Sequence, residues 1–146
     1  MMIRRATPVR RRGATAVEFA AVLSVFLLFL FSVFEYGRFV MMSNLLINAT
    51  REGCRYALVH SQDATVVADV QGVVRSRLAG QVNQLPDLNI QVYPTNNPAA
   101  ALNTTNPDDP ITVMATGTMT SLFPKLPYLP NSFTLRSSSV MTCEGN

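Results

Sequence analysis

From Phe19 to Phe34 the chain reads FAAVLSVFLLFLFSVF, sixteen residues without a charge or a proline. Extended back to Ala14 and on to Tyr36, the stretch is 23 residues long and is interrupted by Glu18 and Glu35. As a helix rising ~1.5 Å per residue it would reach about 34 Å, against a bilayer hydrocarbon core of roughly 30 Å. A soluble domain made from 146 residues could not bury so uniform a helix on every side. The run therefore predicts a single-pass membrane protein.

The arginines set the expected orientation. Arg4, Arg5, Arg10, Arg11 and Arg12 precede the apolar run, and nothing comparable follows it. The positive-inside rule then places the N-terminus in the cytoplasm and everything after about Arg38 outside it. A cleaved secretory signal peptide has a similar basic start. Its apolar core is usually ~7–15 residues, however, and a small-x-small cleavage pattern follows promptly. Here the run is longer, and Glu35-Tyr36-Gly37-Arg38 leads into further helical sequence.

The same arginines account for a formal charge of +3 and a pI near 9.2. Beyond Gly13, seven basic residues face nine acidic ones, a balance of about −2. A nucleic-acid-binding domain needs cations spread along one face of its fold. This chain concentrates them in a short leader, so no nucleic-acid partner is expected.

Glu18 stands out because a carboxylate inside a membrane helix costs on the order of 2.5–3.5 kcal/mol. It can reach the headgroups, it can favour the helix N-terminus through the dipole, or it can meet a specific partner charge. Its setting is Arg-Arg-Arg-Gly13, then Ala14-Thr15-Ala16-Val17-Glu18-Phe19, then the apolar helix. That arrangement resembles a type IV prepilin signal. More narrowly, residues 10–60, including Arg51-Glu52-Gly53-Cys54-Arg55-Tyr56-Ala57, resemble the TadE-like family, pilin-like minor components of tight-adherence (Tad) pilus systems.

The resemblance implies that a prepilin peptidase cuts after Gly13 and leaves the apolar helix attached. The amine exposed on Ala14, with an ordinary pKa near 8, would be largely cationic at pH 7. Glu18 would neutralise that amine of an adjacent subunit, since two charges costly in lipid become tolerable when paired. Position 14 is Ala instead of the bulky aromatic of many type IV pilins, and Phe19 stands where major Tad pilins usually carry Tyr. Both departures, and the chain length, point to a minor component instead of the major subunit.

Residues 38–60 contain no proline, so the membrane helix is expected to continue outward for about 45 residues in all. Ala49, Gly53 and Ala57 recur at four-residue intervals, a small-residue stripe that admits a close neighbour. That neighbour is either the protein's own sheet or a helix of another pilin subunit. A second helix is expected over about Asp63–Leu78, with Asp63 or Thr65 as N-cap and Gly80 as stop. Val66, Val70, Val73, Val74 and Leu78 form its apolar face, and Arg75 and Arg77 its wet one.

Three stretches alternate with period two: Leu88–Val92, Ile111–Thr120 and Phe133–Cys143. They read as half-buried antiparallel strands covered on one face by the helices. Pro94–Pro110 and the proline-rich Phe123–Asn131 read as surface loops. Cys54 and Cys143, both expected outside the cytoplasm, either form a disulfide stapling the last strand to the long helix or are two buried thiols.

No catalytic or ligand constellation emerges. The single His60 cannot build a histidine metal site, and His60-Ser61-Gln62-Asp63 places triad residue types in adjacency instead of in triad geometry. Asp108-Asp109 reads as a solvated turn, and the Asn48 and Asn103 sequons occur at chance frequency. No enzymatic activity and no cofactor are expected.

The expected fold is α+β: a basic leader over 1–13, a membrane helix over 14–37, and a pilin-like domain over 38–146. In that domain a helix packs on three or four antiparallel strands. The resemblance implies a minor subunit or assembly factor of a Tad pilus in the bacterial inner membrane. Its partners would be the prepilin peptidase, other pilin-like subunits and the pilus assembly machinery. The competing function is that of a membrane-anchored extracytoplasmic binding or accessory domain outside any filament.

Overall fold

A computed structural model of the chain describes residues 12–78, 80–102, 109–122 and 130–142. The elements run α1 (Arg12–Val59), α2 (Val66–Arg77), a short 3-10 helix (Gln81–Gln84), β1 (Asn89–Pro94), β2 (Ile111–Thr120) and β3 (Ser132–Met141). The chain divides into two compact units, Met1–Phe34 and Glu35–Asn146.

In the first unit, α1 has a surface that is apolar all round. Val17, Phe19, Val25, Phe29 and Phe34 are each more than three-fifths exposed. The most apolar stretch has a mean hydropathy of 2.5 and none of it is buried within the protein. The helix is thus long and apolar enough to cross a membrane, which suggests membrane anchoring. Ser24 and Ser32 return their hydroxyls to the carbonyls of Ala20 and Leu28, both at 2.8 Å, so neither carries an unsatisfied donor along this surface.

The second unit is a helix pair on an antiparallel sheet of order β1-β2-β3. Met42, Leu46, Ala49, Cys54 and Ala57 of α1 are buried at helical spacing, as are Val66, Val70 and Val74 of α2. They meet Ile90, Ile111, Val113, Ala115, Met119 and Leu135 from the sheet in one core. The odd-numbered positions of β2 and β3 face this core, and the even-numbered ones mostly face outward. Thr112 departs from the alternation. It is buried on the outward side because its hydroxyl lies 2.7 Å from that of Thr95, where the chain turns off β1.

The second helix is shorter than the sequence suggests, starting at Val66 instead of Asp63. Residues 60–65 form turns instead, with the Val66 N–H donating to the Asp63 carbonyl. Thr65 holds the N-cap position but makes no capping bond, because its hydroxyl donates to Asp69 at 2.8 Å. Gly80 sits in the left-handed region at φ 80° and begins the 3-10 helix, a conformation that favours glycine. The first strand runs two residues further than its alternation indicates, to Pro94. Cys143, Asn103, Asp108 and the apolar residues Leu126, Tyr128 and Leu129 of the proline-rich loop lie outside the described residues.

Candidate functional site

Gly13, Ala14 and Glu18 all lie on α1 and are exposed. A Cβ added at Gly13 would meet nothing within 4 Å, so packing does not require glycine there. Glu18 is two turns into the helix and close to the exposed Val17, Phe19 and Val22. These residues make up a helix surface bearing one carboxylate among apolar side chains.

Gly53 is the opposite case. A Cβ there would come within 2.6 Å of one methyl of Val74 and 3.3 Å of one of Val70, so α2 packs directly onto the bare backbone. Ala49 and Ala57 are wholly buried on the same face. The small-residue stripe is therefore occupied by contacts within the second unit. The flanking residues Glu52 and Arg55 point away from the core. Glu52 receives Arg77 of α2 at 3.0 Å and lies 3.9 Å from Arg55. Tyr56 stacks on His60 with ring centroids 4.1 Å apart. The Arg-Glu-Gly stretch is the seam between α1 and α2, small on its inner side and ion-paired on its outer side.

Cys54 is a buried free thiol whose Sγ donates to the Ile111 carbonyl at 3.3 Å and lies 3.6 Å from the Ser139 carbonyl. Burial pushes its pKa above the ordinary 9.0, against the opposing pull of the backbone and Ser139 hydrogen bonds. A thiol so placed is a poor nucleophile.

One polar cluster was not singled out by the sequence reading. Glu35, the first residue of the second unit, is 1% exposed. Its Oε1 receives Arg38 Nη1 at 3.4 Å and the Leu122 N–H at 3.3 Å, while Oε2 is buried and has no partner among the described residues. Arg38 reaches further, donating to Gln84 Oε1 at 3.1 and 3.3 Å and to the Thr120 carbonyl at 3.3 Å. A single ion pair thus ties α1 to the 3-10 helix, the end of β2 and Leu122 two residues beyond it. The legible signal was Glu35 and Arg38 three apart at the close of the apolar run, a spacing that puts two side chains on one helix face. Near the same end of β2, Asp87 accepts both the N–H and the hydroxyl of Thr118 at 2.6 Å. Those hydrogen bonds hold its carboxyl below the ordinary 3.8.

Among the described residues no group of three His, Cys, Asp or Glu side chains is placed to hold a metal ion. The exposed carboxylate-bearing helix and the Arg-Glu-Gly seam are the two features that a family could share. Both fall in the part of the chain that matches a known family model, TadE-like protein, over residues 13–55. This segment is TadE-like. The match covers Gly13, Ala14, Glu18, the apolar run, the Glu35–Arg38 pair and the seam as far as Arg55, and it ends before the sheet begins. No curated protein and no solved structure gives a significant match. The TadE-like segment suggests a protein associated with Tad pili, and the TadE-like family is not an enzyme family.

Proposed function

We propose that this chain is a pilin-like minor subunit or assembly factor of a Tad-type pilus. Its TadE-like segment would be made as an inner-membrane precursor with a cytoplasmic N-terminus and cut after Gly13 by a prepilin peptidase. The observation that carries the reading is the family match coinciding with a helical stretch, residues 13–34 of α1, whose apolar surface is unburied and which holds one carboxylate, Glu18. A charge exposed on such a surface is costly in lipid and is relieved by a cation. The amine released on Ala14 of a neighbouring subunit supplies that cation. The second unit would stand outside the cytoplasm and contribute to pilus biogenesis, adherence and surface colonisation.

Glu18→Ala tests the pairing. The variant should insert into the membrane and be trimmed like the parent, yet leave cells without assembled pili. Normal piliation in Glu18→Ala cells would remove the proposed role of this carboxylate. A membrane-anchored accessory domain outside any filament predicts instead that deleting the whole chain leaves piliation intact.

A further inference from the structure

The sheet has two edges, and they differ. β1 is six residues long and ends in Pro94, and Gln71 of α2 donates to its Ile90 carbonyl at 3.1 Å. β3 is ten residues long, contains no proline, and pairs with β2 one-to-one from Ile111↔Met141 to Thr120↔Ser132, so no bulge interrupts it. Short length, proline, charge and a covering element are what usually close an edge to further pairing. Among the described residues β3 has only one of these, the single charge of Arg136.

The direction of its backbone groups follows from hydrogen bonds around β2. The Thr118 N–H points to Asp87, on the β1 side, and the Pro110 carbonyl receives the Thr95 N–H on that same side. The Ser121 N–H points to the Asn131 carbonyl, on the β3 side. Even-numbered residues of β2 therefore bond toward β1 and odd-numbered ones toward β3. In β3 the odd residues face β2, which leaves the N–H and C=O groups of Ser132, Thr134, Arg136, Ser138 and Val140 directed outward. Among the described residues no backbone group pairs with them. Arg136, in the middle of this edge and exposed, contacts the Met114 sulfur at 3.1 Å and has no carboxylate within ion-pair distance among the described residues.

We propose that β3 is a docking edge: an extended acidic segment of a partner protein adds to it as a fourth strand and sets a carboxylate against Arg136. Backbone bonding to five outward residues supplies the attachment, and the arginine supplies the charge preference. A second copy is the less suitable occupant. Antiparallel self-pairing over the full length of β3 places the two Arg136 side chains opposite or one pair apart, and like charges directly opposed destabilise a sheet.

The test uses the full chain in zwitterionic detergent micelles, with residue-resolved amide exchange. Two synthetic ten-residue peptides of alternating Thr and Val serve as probes, one with a central Glu and one with Gln in its place. The Glu peptide should slow exchange at Thr134, Arg136 and Ser138, which are fast without it. The Gln peptide should bind ~2–5-fold more weakly, the scale of an exposed cross-strand pair, and Arg136→Gln should remove that difference. Ser138→Pro, which replaces an outward N–H, should abolish binding while leaving the β1 and β2 amide signals in place. The proposal is overturned if the Glu peptide protects none of the three amides in the parent chain, a result that needs no variant to fold. Unaltered binding in Ser138→Pro, or no charge preference, overturns it too. Concentration-dependent protection of these amides without peptide would assign the edge to a second copy instead.

Discussion

Helix α1 carries two stretches with opposite relations to their surroundings. Over residues 13–34 it exposes Phe19, Val25, Phe29 and Phe34, and a side chain at Gly13 would meet empty space. Over residues 35–59 it buries Met42, Leu46, Ala49, Cys54 and Ala57, and a side chain at Gly53 would strike α2. The same contrast holds for charge. Glu18 is exposed on the first stretch, whereas Glu35 is buried in the second and held by Arg38 and the Leu122 N–H. In the first stretch composition and surface carry the meaning, and in the second the packing does. Substitutions in the two should therefore be felt by different assays.

The largest effect on folding is expected where a buried charge loses its partner. Arg38→Met should lower the stability of the full chain in micelles by roughly 2–3 kcal/mol, measured by urea unfolding through Tyr56 and Tyr93 fluorescence. That is somewhat less than the ~3–5 kcal/mol of a fully buried pair, because Arg38 keeps 21% of its side chain in water. The double variant Glu35→Gln/Arg38→Met should recover most of the loss. A single variant as stable as the parent would mean the cluster does not hold the second unit together.

Smaller, and sharper as a comparison, is the pair of glycines. Gly53→Ala should cost about 1–2 kcal/mol, since overpacking against Val74 outweighs a gain in helix propensity of ~1 kcal/mol. Gly13→Ala should change unfolding by less than ~0.5 kcal/mol. Equal effects at both positions would erase the distinction between the two stretches.

The smallest effect concerns Asp87. Its folded carboxyl titrates below the ordinary 3.8, so the stability it contributes is present above 3.8 and is lost as pH falls through the lower folded value. Asp87→Asn should flatten that acid limb of the urea midpoint against pH and leave the neutral region close to parent. An unchanged acid limb would show that the Thr118 hydrogen bonds do not stabilise the fold.

Much of this was legible in the sequence, for identifiable reasons. The apolar run and the alternation of Ile111–Thr120 are periodic signals, and α1, β2 and β3 follow them closely. The second helix takes Thr65, not Asp63, as its N-cap, because Asp63 exchanges backbone turn bonds with His60 and Val66 that sequence pattern does not rank against helix. The Glu35–Arg38 cluster was hidden because its other members, Gln84, Thr120 and Leu122, lie 46 to 87 residues away from the pair along the chain. The Ala49, Gly53 and Ala57 spacing is equally suited to a neighbour within the chain or outside it. The positions of Val70 and Val74 show that α2 occupies it.

The most direct test of the account is the intact mass of the protein from cells that carry the matching prepilin peptidase, compared with cells that lack it. A chain beginning at Ala14 is expected in the first and an uncut chain in the second. A protein that still carries Arg10–Arg12 in peptidase-bearing cells would contradict it.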